Sequence, residues 1–216
     1  MYHHREGQLV YIYDFLGIII FCFDIETLGT RSTSVILSMA AVYFNPDEKP
    51  DHIKLRETAF FAKFDVDEQV RELKREVDRD TITWWSKQCA NAQVNSFKRN
   101  PAVDVPFSVG HAAMKAWADE KKDPKCWVWA RGSLDQVLLD DITKQCGLEP
   151  IFTYNRWRDV RTAVDCLFGT TNGYTSVEVP PWVTPFDPAL HITKHRPVDD
   201  CIFDAMQLMY GKGVTK

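Results

Sequence analysis

A nearly unbroken apolar run, Gly17–Phe23 (GIIIFCF), stops at two acids, Asp24 and Glu26. A strand that is apolar on both sides belongs in the middle of a sheet covered on both faces, so the hydropathy predicts a central strand over about Gly17–Ile25. Residues two apart on a strand point the same way, which places both carboxylates on one side at the strand's end. A polar loop after Gly29 leads to a second strand over Thr33–Asn45. Asn45–Asp51 (NPDEKPD) carries turn chemistry. Aromatic and β-branched content then predicts a third strand over Arg56–Val66, completing an antiparallel meander.

The pattern changes at Asp67. From there to Arg99 the chain is polar and helix-prone, and Asn100–Pro106 with its two prolines reads as a break. Phe107, Ala113, Met114, Trp117 and Ala118 recur at helical spacing, predicting a helix over Phe107–Lys121. Cys126–Ala130 reads as a short strand, and Ser133 opens a helix that stops near Gly147. Ile151–Trp157 is the candidate last strand, followed by a helix over about Asp159–Leu167. Residues 169–194 show no period and hold four prolines, the mark of a long binding loop. Pro197 then opens a final helix to about Tyr210, with Gly211 as its stop. Meander first and strand–helix alternation second predict an α/β fold built on one sheet of mixed direction.

Composition narrows the class. The 216 residues suit one domain, with 1–14 a peripheral extension and no internal repeat. A formal charge of −4 excludes a strongly basic, phosphate-coating surface, though not the capture of one strand end where bound cations supply positive charge. Six scattered cysteines without a CxxC pair suit a reducing, cytoplasmic setting. The apolar run is too short to span a bilayer, and the N-terminal order is not that of a signal peptide. His3 and His4 read as part of a solvated tail.

Two carboxylates side by side repel unless a cation lies between them or one takes a proton. Asp135, in the first turn of the helix after the later strand, faces the same sheet end if that strand pairs beside the first. Asp200 lies in the first turn of the last helix and His195 in the approach to it. Their spacing of five does not share a helical face, so His195 projects from the loop as a candidate general base acting on a water. Oxygen ligands of this kind suit Mg2+ or Mn2+ rather than zinc, and the reaction class is phosphodiester hydrolysis. Each feature alone also suits a plain role: a solvated strand end, a helix-dipole charge, a satisfied loop histidine. Asp199 and Asp204 compete with Asp200 for the same assignment. Only the ordered conjunction carries the reading.

FDIETLGT at 23–30, Leu134-Asp135 and HRPVDD at 195–200 resemble the three motifs of the DEDDh exonucleases, a 3′–5′ group with an RNase H-like fold. TITWWSKQ (81–88), VWARG (128–132) and WRDVRT (157–162) resemble blocks of the phage exonuclease A and prophage exodeoxyribonuclease VIII-like subgroup. The resemblance implies a mixed five-stranded sheet with flanking helices. It also implies a cage for two divalent cations, Mg2+ or Mn2+, made by Asp24, Glu26, Asp135 and Asp200, with His195 as base. Thr27 and Leu28 fall where the family meets the 3′-terminal nucleotide. Leu134 stands where relatives carry Phe, and the loop before Asp135 is one residue longer.

Trp84 and Trp85 are adjacent helical positions about 100° apart, so they do not share one face; core packing of both is the favoured expectation, and one of them at the surface is the alternative. An exposed tryptophan there stacks on a base, and Trp85 is the substrate-contact candidate of the pair. Arg158 and Arg161 suit either backbone phosphates or ion pairs with Asp159 or Asp165. The expected activity is release of nucleoside monophosphates from single-stranded 3′ ends, with DNA favoured over RNA. The expected setting is the cytoplasm, that of the host if the chain is phage-encoded, with no membrane partner. The alternatives are a ribonuclease of the same mechanism and a catalytically silent nucleic-acid-binding module.

Overall fold

A computed structural model describes residues 18–122, 125–174 and 192–210. The sequence-based expectations for 1–14, for most of the 169–194 loop and for Gly211 lie outside the described residues. Five strands form one sheet in the order β3-β2-β1-β4-β5: β1 Ile20–Thr27, β2 Ile36–Phe44, β3 Phe60–Lys63, β4 Trp127–Ala130 and β5 Trp157–Asp159. β1 pairs antiparallel with β2, and β2 with β3. β4 runs parallel to β1 on its other side, and β5 parallel to β4. The meander and the parallel pair are thus both present, with the acid-bearing strand at the centre.

Two predicted strands differ. Residues 52–57 form a helix, α1 (His52–Glu57), because the Asp51 side chain accepts from the Lys54 N–H at 2.8 Å and Leu55 faces the core. The third strand therefore starts at Phe60, not Arg56. Ile151 and Phe152 are buried without being a strand. Phe152 packs against Phe21 at 5.1 Å between ring centroids, and pairing begins only at Trp157. A short apolar run does not by itself separate a strand from a buried loop.

The helix-prone stretch resolves into α2 (Val66–Arg71), α3 (Arg79–Trp85) and α4 (Ala90–Ala92), the last running into a π-helical turn over Gln93–Phe97. α5 (Phe107–Lys121), α6 (Leu134–Gln145), α7 (Val160–Phe168) and α8 (Pro197–Tyr210) complete the chain order. α6 starts as expected, but the Ser133 side chain makes no cap bond.

Alternation along β1 sorts its side chains into two cores. Phe21, Phe23 and Ile25 pack with Phe107, Met114, Leu138, Leu139 and Ile142 of α5 and α6. Ile20 and Cys22 face the other way, against Val160 and Val164 of α7 and Cys201, Ile202 and Ala205 of α8. Asp24 and Glu26 continue that second row, so the apolar contact between β1 and α8 gives way to acids at one end. Gly110 lets α5 approach β3: a Cβ there would lie 2.6 Å from Phe64 Cε1. A third, smaller core of Leu28, Val35, Leu37, Trp85 and Ala92 ties α3 and α4 to the strand ends beside the acids. Among the described residues, no helix is long and apolar enough to cross a membrane.

Candidate active site

The site begins where β1 ends. Asp24 pairs with Ala40 and Glu26 with Ser38 on β2, so small residues stand opposite both acids. The register shifts between Glu26 and Thr27, a bulge of the kind that re-aims side chains beside active sites. The Thr27 carbonyl then accepts the indole N–H of Trp85 at 2.9 Å.

α8 supplies three acids with three different tasks. Asp199 is fully buried and paired with Arg56 at 2.6 Å, and it accepts the Thr193 N–H. It anchors the helix start. Asp200 turns to the β1 acids, and its Oδ2 accepts the His195 N–H at 2.8 Å. Asp204, one turn further on the same face, is buried and salt-bridged to Arg131, which also reaches Gln207 at 2.9 Å. The three competing acids are thereby separated by environment. Arg131 and Asp204 had no assigned role in the sequence reading; the i, i+4 relation of Asp204 to Asp200 was the available signal.

Asp135 is 8% exposed in the first turn of α6. Burial and the nearby Asp204 push its carboxyl up to about 8, against relief from Arg161. Burial, then the charges of Asp135 and Asp204, raise Asp24 well above the ordinary range. Glu26 is raised by burial, Asp24, Asp200 and Asp135. Asp200 is raised by burial, Asp24 and Asp204, and its bond from the His195 N–H opposes this. Acids from three separated segments therefore converge at the β1 end, beside the fully engaged guanidinium of Arg131. Such a group holds protons or cations. Among the described residues, Asp24 Oδ2 is buried with no hydrogen-bond partner, and ligand atoms of Glu26, His195 and Asp200 lie within 4.8 Å of one another. The donor set, hard oxygens with an orphaned buried carboxylate oxygen, fits divalent cations.

His195 sits just before α8 in a left-handed conformation, φ 65°, which non-glycine residues adopt at a cost. Its N–H bond to Asp200 and the bond its carbonyl accepts from Ser96 Oγ hold it there. Nδ1 lies 3.8 Å from Glu26 Oε1. The ring is edge-on to Trp84 at 4.6 Å and to Trp85 at 6.2 Å.

Trp85 is 0% exposed and stacks on Phe97, so the substrate-contact assignment made for it is corrected. It is a core residue that fixes the Thr27 carbonyl, and the surface member of the pair is Trp84, 41% exposed. Leu28 is also buried, at 4%, with its N–H bonded to Val35 and its carbonyl to Asp78. Thr27 is half-buried, its hydroxyl donating to the Gly29 carbonyl at 2.6 Å.

A family model described as the 3'-5' exoribonuclease Rv2179c-like domain matches residues 20–208. The chain belongs to that family. It is a 3′–5′ exonuclease. The exodeoxyribonuclease of Enterobacteria phage T4 is 25% identical over 209 residues, covering 88% of this chain and 87% of that protein. The nuclease domain of 3'hExo, a DEDDh family member solved with rAMP, superposes with a TM-score of 0.57 at 14% identity, over 88% of this chain and 90% of that one. Exonuclease I superposes at 0.54 and 12% identity over 89% of this chain, which spans only 40% of that longer protein. These likenesses show an RNase H-like fold of the DEDDh exonuclease type, whose members use divalent metal ions and act on nucleic acid.

Proposed function

We propose that this exonuclease removes nucleoside monophosphates from the 3′ end of single-stranded DNA, using two divalent cations, Mg2+ or Mn2+, and His195 as general base. The observation that carries the reading is the convergence of Asp24, Glu26, Asp135 and Asp200 at one end of β1, with Asp24 Oδ2 left without a partner among the described residues. Those four carboxylates are the assigned cation ligands. Cations bound there supply charge stabilisation for the attacking and leaving oxygens of the displacement.

The chain's own residues do the rest. His195 stands beside Glu26 and Asp200, and burial together with Lys194 lowers its proton affinity, so the imidazole is neutral at pH 7 and free to accept a proton. It takes that proton from the water whose oxygen forms the new bond to phosphorus. The bond from phosphorus to the 3′ oxygen breaks, leaving a shortened strand with a 3′-hydroxyl and a free 5′-monophosphate. Thr27, at the bulge, lines the approach to the acids. Trp84, exposed against the imidazole, is the side chain on which a base can stack.

The T4 relative's description as an exodeoxyribonuclease supports DNA. The family description names an exoribonuclease, and RNA is the second reading. Digestion of matched 3′- and 5′-labelled DNA and RNA strands with Mg2+ or Mn2+ tests both. The expected result is stepwise loss of the 3′ label, faster on DNA, and none in Asp24→Ala. Release from the 5′ end overturns the reading, and faster cleavage of RNA transfers it to the ribonuclease.

A further inference from the structure

Arg161 lies in the first turn of α7 and is exposed. The two acids nearest to it in sequence are otherwise engaged. Asp159 caps the helix, accepting from the Arg161 and Thr162 N–H groups and the Thr162 hydroxyl, and it also accepts the Gly132 N–H at 3.0 Å. Asp165 accepts the Thr170 hydroxyl at 2.5 Å and the Gly173 N–H at 2.8 Å. Among the described residues, no carboxylate forms an ion pair with the Arg161 guanidinium.

The segment after α7 is nonetheless built around this side chain. Gly173 has φ 72°, and a Cβ there would lie 2.3 Å from Arg161 Cβ, so only glycine permits the approach. Arg131 donates to the Gly173 carbonyl at 2.6 Å. Tyr174 is thereby set 5.3 Å from the Arg161 guanidinium and 5.2 Å from that of Arg131. A cation over an aromatic ring is held in place without being neutralised. The guanidinium also borders the acid site: an added Cβ at Gly132 would be 3.9 Å from Arg161 Nε, and Asp135 follows three residues later. Its charge reaches Asp135 and Asp204.

We infer that Arg161, held by Tyr174 and the Gly173 turn at the rim of the acid cage, binds a backbone phosphate of the nucleic-acid strand other than the one being cut. The inference rests on the proposed strand-end reading of the site. The phosphate undergoing cleavage meets the cations; its neighbours need a separate positive charge, since the cage itself is anionic. A guanidinium with fork-like donors and, among the described residues, no carboxylate partner suits that oxyanion. Arg131 does not compete for it, because Asp204, Gln207 and Gly173 occupy its donors.

The test is equilibrium binding of a 5′-labelled single-stranded oligothymidylate by fluorescence anisotropy across a salt series. Ca2+ replaces Mg2+, and an intact strand is confirmed on a gel. Arg161→Gln should weaken binding about three- to tenfold and flatten the slope of log K against log salt by about 0.7, the loss of one phosphate contact on a single strand. Arg161→Lys should keep the slope and recover part of the affinity. Lys144→Gln removes the same charge about 13 Å along α6 from Asp135, beyond the screening length of about 8 Å, and should leave both unchanged. An unchanged slope in Arg161→Gln, or equal losses in it and Lys144→Gln, overturns the inference, whatever the melting temperature does. Because binding is read without turnover, a protein that binds through Arg161 yet never shortens a 3′ end would sink the exonuclease mechanism and leave this contact standing.

Discussion

Replacing Asp135 by asparagine should stabilise the cation-free protein at neutral pH while removing its activity. Asp135 is buried among carboxylates, and its proton affinity is pushed up from an ordinary 3.8 to about 8. Between those values the native state holds a proton that the unfolded chain releases, so stability is full below about pH 4 and falls as pH rises towards 8. At pH 7 that linkage costs the fold about 4 kcal/mol relative to pH 4. A neutral side chain of the same shape removes most of it. In EDTA, Asp135→Asn should therefore be more stable than the unaltered protein by about 2–4 kcal/mol at pH 7, or about 5–15 °C in Tm for a chain of this size. At pH 4 the two should melt together. With Mn2+ the order should reverse, because cation binding to the native state stabilises the unaltered protein increasingly as Mn2+ rises above its dissociation constant. Urea titrations at the two pH values, with and without Mn2+, measure all four cases. A destabilisation by Asp135→Asn of equal size at pH 4 and pH 7 would refute the reasoning, since Asp135 would then be an ordinary buried hydrogen-bond acceptor.

Other expectations follow from the same geometry. Burial and Lys194 lower the proton affinity of His195, so the rate at saturating Mn2+ should rise with pH through a midpoint below 6.5 and level off above it. His195→Ala should lose about 10²–10⁴-fold in kcat, and a wild-type profile still climbing from pH 7 to 8 would count against His195 as the base. Trp85→Ala, which empties a fully buried site and frees the Thr27 carbonyl, should cost about 3–5 kcal/mol of stability in urea unfolding. Trp84→Ala should leave stability within about 1 kcal/mol yet lower activity, and the converse pattern would invert the two roles.

Much of this was legible in the chain. The acid pair could be placed on one face because strand geometry has a period of two, and β1 indeed turns Asp24 and Glu26 towards α8 while Phe21 and Phe23 face α5 and α6. Pro197 marked the start of α8 because its ring suits only the first turn. What stayed hidden depends on tertiary contacts that no local pattern encodes. Nothing in Trp84-Trp85 says which ring turns inward; that is set by Phe97 and the Thr27 carbonyl. Asp199, Asp200 and Asp204 are alike in sequence and are told apart by Arg56, His195 and Arg131, up to 143 residues away in the chain. Arg56 and Glu57, expected to open the third strand, instead end a helix, because the Asp51 cap starts helical hydrogen bonding that runs through them.

The central claim is that Asp24, Glu26, Asp135 and Asp200 together hold the cations that make the site a nuclease. A crystal soaked with Mn2+ and a nucleoside monophosphate, with anomalous scattering used to locate the metal, tests it most directly. The account predicts manganese peaks ligated by oxygens of these four carboxylates, with the nucleotide's phosphate against them and the His195 ring alongside. Manganese bound only elsewhere, or a nucleotide seated away from the end of β1, would contradict it.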